Sequence, residues 1–300
     1  MKFLLSKHYK KFFVLSGVLV LTSIIFLIVF GLKPGIDFTG GSLLHLEFEN
    51  SVLAPELSGL LSDAGYGSVV AQPSGDREMI IKTRVLNSED DRAEILSLIK
   101  ENFGNFEELR FDSVGPVIGQ ELKSKAIWQT IVVVLGILLY VAYAFRKITE
   151  SKITKEVNSW RLSLAAVVAL IHDVVIVMGV FALFGKLYNV EVDVLFVTAI
   201  LTTLGLSVND TIVVFDRLRE NMQKQQGYNF SEIVDKSISE TVVRSVNTSS
   251  TIIFVLMALA FFGGETTFYF VIALIVGITV GTYSSIFVAS PILLLWKSEE

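Results

Sequence analysis

The 300-residue chain has no cysteine, which excludes disulfides, thiol nucleophiles, cysteine zinc sites and iron–sulfur clusters. Histidine is nearly absent too. His8, His45 and His172 are scattered along the chain and offer no metal-ligand spacing. Charged residues are only 18%, the net charge is −5 and the pI is near 5.4, so there is no basic face of the kind nucleic acid selects. Apolar residues, by contrast, make up 52% of the chain, and the mean hydropathy is +0.62. A soluble globule of this size neither needs nor easily hides so much apolar surface. The composition therefore predicts an integral membrane protein.

A helix needs about 20 apolar residues to cross a hydrocarbon core of about 30 Å. Six segments qualify: Phe12–Leu32, Ile127–Phe145, Leu162–Gly185, Val194–Phe215, Val246–Phe262 and Phe268–Trp296, the last expected to kink or end at Pro291. Trp128, Trp160 and Trp296 fall at segment edges, where an indole is best placed at the water boundary. Lysine and arginine set the orientation. Lys2, Lys7, Lys10 and Lys11 precede the first span, and Arg146, Lys147, Lys152, Lys155 and Arg161 lie between the second and third. Both termini are therefore expected in the cytoplasm. By that assignment the cytoplasmic stretches sum to +6 and the outer stretches to −9, with Asp173 and Asp210 supplying the rest of the net −5. The run of about 21 apolar residues near the start leads into Leu32-Lys33-Pro34-Gly35 rather than a small-residue cleavage site, so it reads as an uncleaved anchor.

The sequence divides into residues 1–32 (terminus and first span), a soluble region at 33–126 and a five-span region at 127–300. In the soluble region Ser42–Glu49 alternates like a strand and Val52–Ala64 has helical spacing. Ser68–Gln72 and Glu78–Arg84 read as strands around Pro73–Asp76, Ser88 is a candidate N-cap for a helix to Phe103, and Phe106–Val114 reads as a last strand. The order β-α-β-β-α-β predicts a small α+β domain of ferredoxin-like type on the outer face. His45 stands alone on its strand, so this domain is read as a binding or lever element without catalytic residues.

Two acids lie well inside predicted spans, Asp173 and Asp210, and ionisable groups there are functional candidates because burying charge in lipid is costly. Thr203, Ser207 and Asp210 follow i, i+4, i+7 spacing, with Thr202, Gly205 and Asn209 on the adjoining stripe. Arg244, Asn247, Thr248 and Thr251 make a similar stripe on the fifth span, so Asp210 is expected to face Arg244 directly or through water. Such a pair works as a proton switch: desolvation favours the neutral acid, and an approaching guanidinium favours the carboxylate. The competing reading is a buried polar pair that only fixes helix packing. His172 and Asp173 are adjacent, about 100° apart on a helix, and are not expected to share a partner. Gly277 and Gly281 form a GxxxG expected to be a packing seam.

Several strings carry a family resemblance. Gly35-Ile36-Asp37-Phe38-Thr39-Gly40-Gly41 resembles the signature of the SecD/SecF export-membrane proteins. SVGPVIGQEL at 113–122, IHDV at 171–174, SVNDTIVVFDRLREN at 207–221 and RSVNTS at 244–249 resemble the SecF side of that family, in order. The resemblance implies half of an RND-type transporter: a six-span accessory of the Sec translocase that uses the proton motive force to promote export. It implies SecD as a separate partner chain, the SecYEG channel, YajC as a further candidate, and exported unfolded polypeptides as cargo, with no cofactor, metal, nucleic acid or catalytic residue. In the family the aspartate of NDTIV and the arginine opening the fifth span are proton-pathway residues. They match Asp210 and Arg244 here, with Asp173 as a third, supported by Asn209, Ser207, Thr203, Asn247 and Thr248. Three other readings stay open: an intramembrane aspartyl protease using Asp173 and Asp210, a small-molecule RND exporter, and a pure scaffold.

Overall fold

A computed structural model describes residues 5–146, 159–224 and 229–295. Trp296, Lys2 and the loop cations Lys147, Lys152 and Lys155 lie outside the described residues. Two compact units emerge: Pro34–Ile127 forms one, and Met1–Lys33 with Trp128–Glu300 forms the other.

The first unit begins with a one-turn helix α2 (Ile36–Thr39), followed by β1 (Gly41–Phe48), α3 (Ala54–Asp63), β2 (Val70–Pro73), β3 (Glu78–Thr83), α4 (Glu89–Phe103) and β4 (Phe106–Val114). The strand order is β2-β3-β1-β4, every neighbouring pair antiparallel, so two β-α-β units interleave. Alternation decides which face is core: Leu44, Leu46 and Phe48 point one way, against Leu57 and Leu61 of α3 and Ile95 and Ile99 of α4, all nearly solvent-free. His45 points the other way, and its Nε2 lies 2.8 Å from Glu78 Oε2. The Ser88 hydroxyl accepts from the Asp91 N–H at 3.1 Å and so caps α4. Arg92, in α4, donates to Glu108 of β4 at 2.6 Å, and that carboxylate drives the guanidinium pKa further up.

Gly40 and Gly41 hold φ of +75° and +144°. A Cβ on Gly40 would lie 2.9 Å from Pro116 Cα, and one on Gly119 would lie 3.0 Å from Gly40 N. The two glycine-bearing strings, separated by some seventy residues in sequence, are therefore in backbone contact, and Ser42 and Ser113 seal the join with a 2.8 Å hydroxyl pair.

The second unit contains the apolar helices. They are α1 (Leu5–Val29), the later part of α5 (Pro116–Ala144), α6 (Ser159–Tyr188), α7 (Val194–Lys224), α8 (Phe230–Phe262), α9 (Glu265–Ser284) and α10 (Ser290–Leu295). Among the described residues six helical segments are long and apolar enough to span a membrane. The fifth span is the end of a helix that starts at Phe230, sixteen residues before the apolar run, and α7 likewise continues past it to Lys224. Beyond the apolar stretch these two helices are tied by side chains: Arg217 Nε donates to Glu240 at 2.7 Å, while Asn221 Nδ2 donates to Glu240 at 2.8 Å and to Ser237 at 3.0 Å. Pro291 does not end the last helix. One π-turn, Ser285–Ala289, precedes it and the helix resumes to Leu295, the wider turn accommodating the ring and the missing N–H.

Small residues let these helices approach closely, as expected where lipid supplies no hydrophobic drive. A Cβ on Gly281 would lie 2.8 Å from Ser207 Cβ, and one on Gly277 would meet Thr203 Cβ at the same 2.8 Å, so the GxxxG is the α7–α9 seam. Gly179 of α6 is pressed against Ser23 of α1 in the same way.

Candidate functional site

The seam delivers short polar side chains from α9 to the acids of α6 and α7. Asp173 retains 4% of its surface and is surrounded by hydroxyls: Ser207 donates to Oδ2 at 2.6 Å and Ser284 donates to the same oxygen at 2.9 Å. His172 Nδ1 lies 3.0 Å from Oδ1. The helical angle separates their Cβ atoms, but the imidazole and carboxylate are long enough to bend back toward each other. Ser285, beside Ser284, pairs with Thr211 at 2.9 Å and donates to the Ser207 carbonyl at 3.0 Å.

Asp210 is 7% exposed and lies three residues beyond Ser207 on α7. Thr282 of α9 donates to its Oδ2 at 3.5 Å, and Thr282 in turn pairs with Ser249 of α8 at 2.5 Å. Ser245 lies beside the carboxyl, but its Oγ is buried without a hydrogen-bond partner. A small pocket opens here, lined by Ser207, Asn209, Asp210, Thr248, Ser249 and Thr282 together with Leu206, Ile252 and Ile278. It leaves about 20 Å³ for the centre of a water molecule, room for about one. The site is thus polar, has room for little water and has no cationic side chain in its lining among the described residues.

Arg244 does not supply one. It is exposed on α8 and makes no ion pair among the described residues, so the direct contact expected with Asp210 is absent. The stripe that does face inward on α8 is Ser237, Thr241, Ser245 and Ser249, four residues apart and all buried. Arg244, Asn247, Thr248 and Thr251 form a second stripe that is exposed, as are Thr198, Thr202 and Asn209 on α7. Of the supporting residues, Ser207, Asn209 and Thr248 line the pocket, Thr203 is buried under Gly277, and Asn247 is turned outward. Sequence reasoning missed Ser245, Ser249, Thr282 and Ser284. The Ser/Thr repeat from Ser237 to Ser249 was the signal available for the first two.

The two carboxyls engage separate hydroxyls, Asp173 through Ser207 and Ser284 and Asp210 through Thr282, with no hydrogen bond between them. An aspartyl-protease dyad needs carboxyls sharing one proton. Among the described residues no three His, Asp or Glu side chains converge to hold a metal ion.

Residues 94–299 match the family described as protein export membrane protein SecD/SecF, C-terminal, and residues 25–52 match the SecD/SecF GG motif. The protein translocase subunit SecF of Thermobaculum terrenum is 42% identical over 96% of this chain and 92% of its own length. The protein of the same name from Anaerolinea thermophila is 38% identical over 99% of this chain and 94% of its own. The crystal structure of SecDF, a translocon-associated membrane protein from Thermus thermophilus, superposes with a TM-score of 0.84 at 33% identity. That match covers 97% of this chain and 38% of the larger one.

Proposed function

Since the chain belongs to the SecD/SecF family of protein-export membrane proteins, we propose that it is the SecF-type subunit of a Sec translocase, using the proton motive force to promote export of unfolded polypeptides. The observation carrying the proton role is Asp210: a carboxyl among hydroxyls in a pocket with room for one water, with no cationic side chain in its lining among the described residues. In that surrounding the neutral acid is the cheaper form, and a guanidinium brought alongside would favour the carboxylate. Arg244 is one helix away on an outward face, so the proposed cycle needs α8 or a neighbour to move before the arginine reaches the acid. Each proton moved down a potential of 100 mV supplies about 2.3 kcal/mol, so a few per cycle suffice for a large rearrangement. Asp173 is the proposed second station.

The outward polar stripes support a partner. Thr198, Thr202 and Asn209 on α7 and Asn247, Thr248 and Thr251 on α8 lie on exposed faces of membrane helices, where lipid offers no hydrogen bonds. The threonine hydroxyls already donate to carbonyls one turn back on their own helices, so a second six-span half seated there would cover them and offer partners to the Asn209 and Asn247 amides; SecD is the proposed occupant, with SecYEG and YajC further out in the assembly. The bundle is read as half of an RND-type transporter and the sheet unit as a ferredoxin-like domain on the outer face, both termini being cytoplasmic by the lysine and arginine distribution.

The test is Asp210→Asn in cells whose export depends on the gradient. The expected outcome is loss of gradient-dependent export with a normal amount of assembled complex. Undiminished export overturns the proton role, and a parallel fall of complex and export makes the residue a packing element.

A further inference from the structure

His172 is given no role of its own in the mechanism above, yet it is the one imidazole within the candidate membrane spans of the described residues. It is 6% exposed, and its two ring nitrogens differ sharply in their surroundings. Nδ1 is 3.0 Å from Asp173 Oδ1, whereas Nε2 is buried with no hydrogen-bond partner. An orphaned buried nitrogen is unusual, because leaving a polar group unpaired costs about 1–3 kcal/mol. Asp173 resolves the tautomer. With Asp173 as the carboxylate, Oδ2 accepts from Ser207 and Ser284 and Oδ1 takes its donor from the ring, which puts the hydrogen on Nδ1 and leaves Nε2 a bare lone pair.

The groups around the ring are few. Asp173 comes from its own helix. Tyr283 of α9 stacks on it at 6.3 Å between centroids with 24° between planes, and the Ser207 hydroxyl of α7 reaches it through Asp173. The Tyr283 hydroxyl is itself engaged with α1, donating to the Phe12 carbonyl at 3.2 Å and pairing with Ser16 at 3.1 Å. No second cation faces the imidazole among these partners.

We propose that His172 is a proton-binding residue of the bundle, taking a proton at Nε2 and holding it as an imidazolium against the Asp173 carboxylate. The proton comes from a hydronium ion, whose O–H bond breaks as Nε2–H forms and which leaves as water; the Nδ1–H···Oδ1 contact and both serine hydrogen bonds to Oδ2 persist. The buried pair changes from a net charge of −1 to zero, and a neutral ion pair with all its hydrogen bonds made is cheaper to keep from water than a lone carboxylate. Imidazole is the side chain whose ordinary titration range suits such a step. Ser207 lies between this dyad and the Asp210 pocket, which it also lines, so the two proton sites share one hydroxyl.

The proposal rests on the proton-coupled reading only for what the bound proton accomplishes, and the two are tested apart. The chain has just three histidines, so nitrogen-15 labelling of histidine in the full chain, purified in lipid nanodiscs, gives three ring signals assignable with His45→Gln and His8→Asn variants. His172 is expected to show the Nδ1–H tautomer with a bare Nε2 at high pH and to gain the Nε2 proton, read as imidazolium ring signals, as the sample is acidified across the ordinary imidazole range of about pH 8 to 5. Asp173→Asn is expected to move that transition to lower pH. An Nε2–H tautomer, or a state that does not change across the range, overturns the proposal without any transport measurement. In cells, His172→Gln is expected to lose gradient-dependent export at unchanged membrane abundance. Wild-type export by that variant overturns its role even if the ring titrates. Should Asp210→Asn export normally, the function proposed above fails, while the spectroscopic result for His172 stands on its own.

Discussion

The sheet unit and the helix bundle place their polar groups in opposite positions. In residues 34–127 the solvent-free apolar side chains are Leu44, Leu46, Leu57, Leu61, Ile81, Ile95 and Ile99, while ion pairs such as Arg110–Asp112 and Arg77–Glu47 lie at the surface. In the bundle, Ile28, Leu139, Phe254 and Phe261 are exposed, and Asp173, Ser207, Ser245, Ser284 and Ser285 are inside. Burial of apolar area stabilises the first arrangement. In the second that drive is absent between helices, and close approach with hydrogen bonds takes its place. The same substitution should therefore have different consequences on the two sides.

The largest effect is expected at the seam. Gly281→Val puts a branched side chain where even a Cβ meets Ser207 at 2.8 Å, in backbone that cannot retreat without parting α7 from α9. Folded protein should be lost from detergent extracts, seen as a collapsed or absent size-exclusion peak. A glycine of this helix pair that tolerated valine would show the seam to be loose. Next is Ile81→Ala at the centre of the sheet, with an expected cost of about 2–5 kcal/mol, read as faster hydrogen exchange confined to β1, β3 and β4 of the full chain. The matched pair is subtler. Ser42→Ala removes the acceptor of the buried Leu86 N–H as well as the Ser113 contact and should cost about 1–3 kcal/mol. Ser249→Ala, which breaks the link to Thr282, should cost about 0.6 kcal/mol, because polar groups left in the bilayer find other partners. Equal costs measured by reversible unfolding of the full chain would erase the contrast.

The smallest effect concerns pH. Burial first, and the Glu94 carboxylate second, raise the Tyr66 phenol above its ordinary value of 10.0. The folded sheet unit holds that proton more tightly than the unfolded chain, so the contribution is complete below about pH 10 and is lost as pH rises through the folded value. Tyr66→Phe should flatten the alkaline limb of the stability curve, measured by the same exchange protection in β1 and β3.

The division just drawn also explains what could be read from residues alone. The sheet unit was legible because water on one face enforces alternation: LLHLEF in β1 and the Ser88-to-Asp91 cap carry their positions openly. The spans were legible by length, but α5 and α8 begin well before their apolar runs, since hydropathy reports lipid contact and not helix. The site was half legible. Asp173, Asp210, Ser207 and Thr203 lie where spacing put them, whereas α8 carries hydroxyls on two faces, and the stripe containing Arg244 looked as good as the buried one through Ser245 and Ser249. Polarity in a membrane helix marks a face that avoids lipid. It does not tell the inside of a bundle from the seat of another chain.

The seam between α7 and α9 is made from glycine, serine and threonine, side chains with almost no rotamer freedom to lose on ordering. Around Asp173 and Asp210, then, the interior can change its pattern of donors and acceptors by turning hydroxyl rotors, with no large side chain forced to repack. A proton gained or lost there can be answered within the existing backbone, and bulk need move only when the answer passes outward along the helices.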